Sequence, residues 1–122
     1  MRVRIVAAQS ENTAAMARSL AAGHLVEIEN VPTLADGLAG QIDEVAFDIG
    51  RHGIDDMVTL TEDEVGRTIA WLWSEHGQRV EGAGACATGA VWLRKLSTIA
   101  TPAAVVVSGG NIDQGRFEDL TR

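Results

Sequence analysis

The feature that most restricts the fold of this sequence is a five-residue apolar run, Ala103 to Val107, that leads directly into Ser108, Gly109, Gly110 and Asn111. A short, continuously apolar run rich in β-branched residues is typical of a strand buried on both faces of a parallel sheet. Ligands of open α/β proteins bind beyond the carboxyl ends of such strands. We therefore predict a buried strand from Ala103 to Val107 and a ligand-binding loop after it.

The rest of the sequence alternates between strand-like and helix-like segments. Strands are predicted for two apolar runs, Arg2 to Ala8 and Met57 to Leu60. Helices are predicted for the segment after Thr61 and for residues 13–23, 34–40, 81–93 and 115–120. This alternation favours an α/β fold with a mostly parallel sheet flanked by helices, and the 122 residues suit a single domain.

The clearest helix start is Thr61, because Glu64 follows three residues later and the pair can form a capping box. Thr33 and Asp36 are predicted to cap the short helix of residues 34–40 in a similar way. The sequence pattern does not decide the secondary structure of two segments. Residues 24–30 are either a short strand or a connection, and residues 47–52 show no clear pattern.

Charge and composition exclude several classes of partner. The net charge of −7 and the pI near 4.8 disfavour nucleic acid and anionic membranes, both of which require a basic surface. The single cysteine, Cys86, rules out a disulfide framework within the chain and fits a reducing compartment. No segment has the length of a signal-peptide core or a membrane span, so we predict a cytoplasmic protein.

Several polar residues allow both a functional and a purely structural interpretation. The loop from Ser108 to Asn111 is either a ligand cradle or an ordinary tight turn. Glu81 either faces a pocket or stabilises a helix start, and Asp36 either lines a site or caps a helix. The acidic residues between Asp55 and Glu64 are interpreted mainly as a solvated turn and first helical turn. The three histidines are isolated and predict no metal site, and Trp71 and Trp73 indicate core or interface.

Five segments together resemble a known family. IVAAQSENTAAM, TLADGLAG, MVTLTEDEV, RVEGAGACATGAVWL and VVVSGGNID occur in the order and spacing seen in threonine/serine dehydratases of fold type II, which depend on pyridoxal 5'-phosphate (PLP). The resemblance runs from about Arg2 to about Leu120 and implies the C-terminal portion of the catalytic domain. It implies that the complete enzyme uses PLP to convert a hydroxy amino acid to a 2-oxo acid and ammonia.

The resemblance also implies roles for residues on three segments. Ser108 would hydrogen-bond the pyridine nitrogen of PLP, and its neutral hydroxyl would favour β-elimination. The other implied cofactor-binding residues are Gly109, Gly110 and Asn111 in the same loop, Glu81 and Gly82 in the VExxGA segment, and Asp36 and Gly37 in the ADG segment.

Two departures from the family pattern limit these expectations. Related racemases and dehydratases can bind a divalent cation where this chain has Gln9 and Ala15, so no metal is predicted. The family's Schiff-base lysine and glycine-rich phosphate cup lie N-terminal to the matched portion, and the one lysine here, Lys95, follows a helix beside Arg94. We therefore predict that the chain alone is inactive and does not retain PLP.

Two kinds of partner and two further functions follow as expectations. The partner is either a second copy in a homo-oligomer or a complementing N-terminal half that carries the lysine, since missing strands leave apolar surface uncovered. The alternative function is a non-catalytic binding or assembly module derived from the same fold. A small nucleotide- or phosphate-binding domain is a third interpretation, although the sequence lacks GxGxxG and P-loop patterns.

Overall fold

A computed structural model describes residues 2–29 and 31–122. The strands are β1 (Val6–Ser10) and β2 (Asp56–Leu60). The α-helices are α1 (Ala15–Ala22), α2 (Glu44–Gly53), α3 (Glu62–His76), α4 (Gly82–Trp92) and α5 (Gln114–Thr121), and Glu11–Thr13 and Asp36–Leu38 form short 3-10 helices. None of the helices in these described ranges is long and apolar enough to cross a membrane.

The two strands form a parallel sheet, with Val6 opposite Asp56 and Ser10 opposite Leu60. The predicted α/β class and the parallel pairing are therefore confirmed. The first strand starts later than predicted, at Val6 rather than Arg2. Just before it, the Ile5 backbone N–H donates to Asp55 Oδ2 at 2.7 Å, and this bond aligns the two strands at their start.

Helices α3 and α4 pack together and, through α4, against the sheet. The core contains side chains that are fully buried, such as Leu60, Val65 and Ile69. The small residues of α4 allow the close packing that the sequence predicts. A Cβ on Gly89 would lie 2.7 Å from Thr68 Oγ1 and 2.5 Å from Leu60 Cδ2, so a larger residue at this crossing would force these side chains to move.

The predicted capping box at the start of α3 is confirmed. The Glu64 N–H donates to Thr61 Oγ1 at 3.1 Å, and the Thr61 N–H donates to Glu64 Oε2 at 2.8 Å. Lys95 Nζ also donates to Glu64 Oε2, at 2.5 Å. Burial acts to raise the pKa of the Glu64 carboxyl, but the hydrogen bonds from Lys95 and Thr61 and the charge of Lys95 hold that pKa below its ordinary value. The ion pair of Lys95 and Glu64 thus joins the end of α4 to the start of α3.

The prediction of a buried strand at Ala103 to Val107 is wrong for this chain. These residues form neither helix nor strand, and Val106 is 76% exposed. A strand requires a neighbour for its backbone N–H and C=O groups. In the described residues β1 and β2 pair with each other alone, and no backbone hydrogen bond outside regular elements reaches 103–107. The run is therefore an exposed apolar segment without a partner.

The short helix after Thr33 also differs from its prediction. It is a 3-10 turn, Asp36–Leu38, whose N-cap position is Ala35, and Asp36 does not complete a capping box. Thr33 Oγ1 instead accepts from the Ala35 N–H at 3.0 Å. Thr33 therefore lies two residues before the N-cap position, and its hydroxyl group binds the N-cap residue rather than the N–H groups of the 3-10 turn.

The two segments that the sequence left open are now assigned. Residues 24–29 form a connection without a strand, and Asn30 lies outside the described residues. Residues 47–52 belong to α2, which Asp43 caps by accepting from the Ala46 N–H at 2.7 Å. The helix ends at Gly53, and Ile54 leads into β2.

Candidate functional site

Four of the residues implied by the resemblance meet in one cavity of about 200 Å³. They are Asp36, Glu81, Gly82 and Asn111, and the cavity is completed by Leu34, Ile112, Asp113 and Arg116. The lining comes from three segments that are distant in sequence: the turn before α2, the start of α4, and the loop before α5 together with the first turn of α5. The fold thus assembles a shared site from separate motifs.

Glu81 lines this cavity and contacts the neighbouring loop. It occupies the N-cap position of α4, where its side chain makes no capping hydrogen bond. Its backbone N–H donates to the carbonyl oxygen of Gly109 at 3.2 Å. Its half-buried carboxylate lies directly against Gly109, so close that a Cβ at residue 109 would overlap Oε1. Gly109 also has a φ of 60°, which favours glycine. The Glu81 carboxylate and the loop are therefore packed as a unit.

The first turn of α4 is approached by backbone from two sides. A Cβ on Gly82 would overlap the carbonyl group of Leu34, and a Cβ on Gly84 would overlap that of Ser108. Both glycines are buried. These positions require glycine because main-chain atoms, rather than movable side chains, fill the space. The small-residue pattern of α4 therefore serves to seat both loops.

Asp36 and Gly37 lie on the outer side of the cavity, and both are exposed. Gly37 sits next to Ala83, where a Cβ on residue 37 would lie 3.1 Å from that of Ala83. Asp36 contributes to the cavity lining. The ADG segment is thus placed beside the start of α4, as one side of the cavity.

The loop from Ser108 to Asn111 is exposed along its whole length. Of its four residues Asn111 lines the cavity, whereas Ser108, Gly109 and Gly110 precede Asn111 in the chain and are not part of the lining. A Cβ on Gly110 would lie 2.7 Å from the carbonyl oxygen of Arg79. The position of the loop is therefore set by the segment that precedes α4.

Three charged residues near the site were missed by the sequence analysis. Arg79 donates to the Ile112 carbonyl at 2.8 Å and to Gln114 Oε1 at 2.6 Å, which fastens the loop to α5. Arg116 lines the cavity. Glu62 was assigned to a solvated acidic cluster, yet it is half-buried and accepts side-chain and backbone hydrogen bonds. No local pattern marks these residues, and the hydrogen-bond partners of Arg79 and Glu62 lie at least 28 residues away in sequence.

Lys95 does not reach the cavity. It follows α4 at the end opposite to Glu81, and the eleven residues of α4 span about 16 Å. Its ammonium group is bound to Glu64. Lys95 thus has a structural role as the partner of Glu64.

The positions implied for a family metal site carry no ligand set. The Gln9 side-chain oxygen accepts from the Ala17 N–H at 3.1 Å, and Ala15 is buried. Within residues 2–29 and 31–122, no group of three or more His, Cys, Asp and Glu side chains could hold a metal ion. His24, His52 and His76 are exposed and lie on different elements.

Cys86 lies in the hydrophobic core and is 1% exposed. Burial raises the pKa of its thiol to about 11, with a further contribution from the negative charge of Glu62. At pH 8 only about 0.1% of such a thiol is the reactive thiolate. We expect a thiol-specific reagent to label the native chain very slowly at pH 8 and to label it at once in denaturant. Rapid native labelling would contradict the burial of this side chain.

Comparison with known proteins decides the family. The model of the family described as "Pyridoxal-phosphate dependent enzyme" matches residues 1–109. The chain belongs to this family. The prediction from the five sequence segments is therefore confirmed.

Curated relatives in the PLP-dependent family share substantial identity with the chain. An L-threonine ammonia-lyase of Thermotoga maritima is 38% identical over 119 residues, which are 97% of this chain and 29% of that protein. The catabolic L-threonine dehydratase of Escherichia coli strain K12 is 34% identical over 98% of this chain and 37% of its own length. The chain thus spans about a third of the length of the curated relatives it matches.

Solved structures of the PLP-dependent family agree with the fold. A threonine deaminase from T.th. matches with a TM-score of 0.80 and 29% identity over 90% of this chain and 40% of that one. Maize serine racemase matches with a TM-score of 0.83 and 25% identity over 96% of this chain and 37% of that one. The architecture is therefore that of fold type II PLP-dependent enzymes, of which the chain represents one portion.

Proposed function

We propose that the chain forms one wall of the cofactor site of a PLP-dependent threonine/serine ammonia-lyase. The complete enzyme would convert a hydroxy amino acid to a 2-oxo acid and ammonia. The observation that carries this proposal is the cavity in which Asp36, Glu81, Gly82 and Asn111 meet. These residues were assigned to one cofactor by resemblance, and they come from three separate segments.

The residues around the cavity fit PLP as one side of its pocket. Gly82 and Gly84 let the main chain of the two loops pack directly on α4, and this brings together the segments that would border the PLP ring. Small-molecule sites usually enclose roughly 300–1,000 Å³. The cavity here, about 200 Å³, is smaller than that range, which supports a site that further polypeptide completes.

Each residue of this wall would have a simple physical task. When bound, PLP supplies an electron sink for the breaking bonds of the amino acid. Ser108 would hold the pyridine nitrogen through a neutral hydroxyl, which orients the ring without giving it a proton. Gly109, Gly110 and Asn111 would shape the loop around it. Glu81 with Gly82, and Asp36 with Gly37, would border the same pocket and fix the position of the ring.

The chain by itself has no lysine at this cavity. Lys95 lies beyond the far end of α4 and is paired with Glu64. A family enzyme needs a lysine at the site to hold the cofactor and to move the substrate α-proton. We therefore infer that the lysine comes from elsewhere in the same polypeptide or from a second one, and that these 122 residues are inactive alone.

The exposed apolar segment supports a need for a partner. Val105, Val106 and Val107 are 40%, 76% and 47% exposed and are consecutive in sequence. Contiguous apolar surface of this kind is usually covered by another chain or segment. We propose the lysine-bearing portion of the fold as that partner. Because the same surface would also serve self-association, a non-catalytic assembly module remains the second candidate function.

We propose that residues 1–122 act as a single domain within the complete enzyme and that the protein works in the cytoplasm. A hydroxy amino acid is the proposed substrate. The curated relatives named above are L-threonine enzymes, which supports this substrate class.

A titration of the purified chain with PLP tests the proposal that it lacks a complete site. We expect no saturable change in the PLP absorption spectrum and no production of 2-oxo acid from L-threonine or L-serine. Lys95→Arg is the matched control, because arginine keeps the charge beside Glu64 and removes the one lysine. The absence of a saturable spectral change in both proteins would support the proposal. Saturable PLP binding by the chain, whether kept or lost in Lys95→Arg, or turnover by the chain alone, would contradict it.

A further inference from the structure

We propose that Glu62 is a positioning residue that holds the segment Leu34 to Gly37 as one wall of the cavity. Its carboxylate accepts three hydrogen bonds from two distant segments. Ser10 Oγ and Thr33 Oγ1 donate to Oε2, the latter at 2.9 Å, and the Leu34 N–H donates to Oε1 at 2.5 Å. Glu62 thus joins the end of β1, the start of α3 and the loop that leads to Asp36.

The carboxylate of Glu62 is itself fixed on the sheet side. Ser10 is the last residue of β1 and is fully buried. Its hydroxyl accepts from the Asn12 N–H at 3.1 Å and donates to Glu62, so its orientation is determined at both ends. Since Glu62 is also the first residue of α3, backbone and side chain are both held by regular structure.

The hydrogen bonds from Thr33 and Leu34 to Glu62 determine where this loop lies against the cavity. Thr33, which donates to Glu62, also accepts from the Ala35 N–H, and Ala35 is fully buried. The Leu34 carbonyl group packs directly on Gly82. Leu34, Gly82 and Asp36 all line the cavity, so movement of residues 33–35 would change its shape.

A general electrostatic role would be a different explanation for Glu62. Carboxylates in the first turn of a helix interact favourably with the helix dipole whatever else they contact. Asp63 occupies the next position of the same turn and is exposed. Among the described residues its side chain takes part in no hydrogen bond or ion pair within the chain, which makes Asp63→Asn a matched control for loss of charge alone.

Amide hydrogen exchange of the chain in solution tests the proposal. Hydrogen bonds to a charged group are worth about 1.5–3 kcal/mol, which corresponds to about 10- to 100-fold in local opening. We expect exchange at Leu34 and Ala35 to accelerate about 100-fold in Glu62→Ala. In Glu62→Gln, which retains one acceptor oxygen, we expect exchange at these two amides to accelerate about 10-fold. In Asp63→Asn we expect exchange at the same amides to accelerate by less than about twofold. Exchange at Ile69 in α3 reports the change in global stability. The acceleration at Leu34 and Ala35 is therefore compared with that at Ile69.

The outcomes separate this inference from the proposed function. If Leu34 and Ala35 accelerate only as much as Ile69, or if Asp63→Asn matches Glu62→Ala, Glu62 does not position the loop. The inference rests on the proposed function only for the identity of the molecule that fills the cavity. Because exchange is measured without cofactor, a chain that shows the expected exchange yet fails to complement a lysine-bearing segment would leave the positioning role intact and overturn the PLP assignment.

Discussion

Replacing Gly84 with alanine is expected to detach the loop of Ser108 to Asn111 from α4 and to lower the free energy of unfolding by about 1–2 kcal/mol. The new Cβ would overlap the carbonyl group of Ser108, which is main chain and cannot rotate away. Overpacking costs about 1–3 kcal/mol and more against backbone. Alanine regains about 1 kcal/mol of helix propensity, so the loop contact outweighs the helical gain.

Urea unfolding and the amide resonances of Gly109 and Gly110 measure these two effects. Gly53→Ala is the matched control, because Gly53 ends α2 and a Cβ there would have no neighbour within 4 Å. We expect the control to be neutral or stabilising and to leave the loop resonances unchanged. A Gly84→Ala chain with wild-type stability and unshifted loop resonances would show that α4 and the loop are not in direct contact.

Replacing Val106 with lysine is expected to leave the fold of the chain intact and to weaken its assembly with a lysine-bearing segment at least tenfold. Val106 is 76% exposed, and substitutions at such surface positions usually change stability by less than about 0.5 kcal/mol. If the segment becomes a covered strand in the complete enzyme, the charge would instead be buried without a partner, which costs several kcal/mol.

Val45→Lys is the control for this prediction. Val45 is 67% exposed on α2 and is equally apolar, but it lies outside the segment of residues 105–107. Affinity for the lysine-bearing segment can be measured by titration calorimetry, and self-association by sedimentation. Equal affinities for both variants would argue against the segment as the docking surface. Loss of self-association alone would favour the assembly-module function.

The parts of the fold that the sequence predicts well are those determined by short-range contacts. The capping box of Thr61 and Glu64 involves residues three apart, and the strand at Met57 to Leu60 carries its own apolar pattern. The segment of Val105 to Val107 has an equally clear strand pattern. Its prediction fails because a strand also needs a neighbouring strand, and none of the described residues supplies one.

The candidate site shows the same division between local and distant information. Asp36, Glu81, Gly82 and Asn111 were found through motifs, and the fold brings them into one cavity. Glu62 was not found, because its hydrogen-bond partners lie 28 to 52 residues away in sequence. An acidic residue at a helix start is normally solvated, and only the folded chain reveals the hydroxyl and amide donors around it.

Complementation tests the central proposal most directly. The chain is mixed with PLP, L-threonine and the lysine-bearing segment of a relative such as the Thermotoga maritima L-threonine ammonia-lyase, and 2-oxo acid and ammonia are measured. We expect turnover only when both polypeptides are present, and a strong reduction when the chain carries Ser108→Ala. A mixture no more active than the lysine-bearing segment alone would contradict the proposal that this chain supplies one wall of a PLP site.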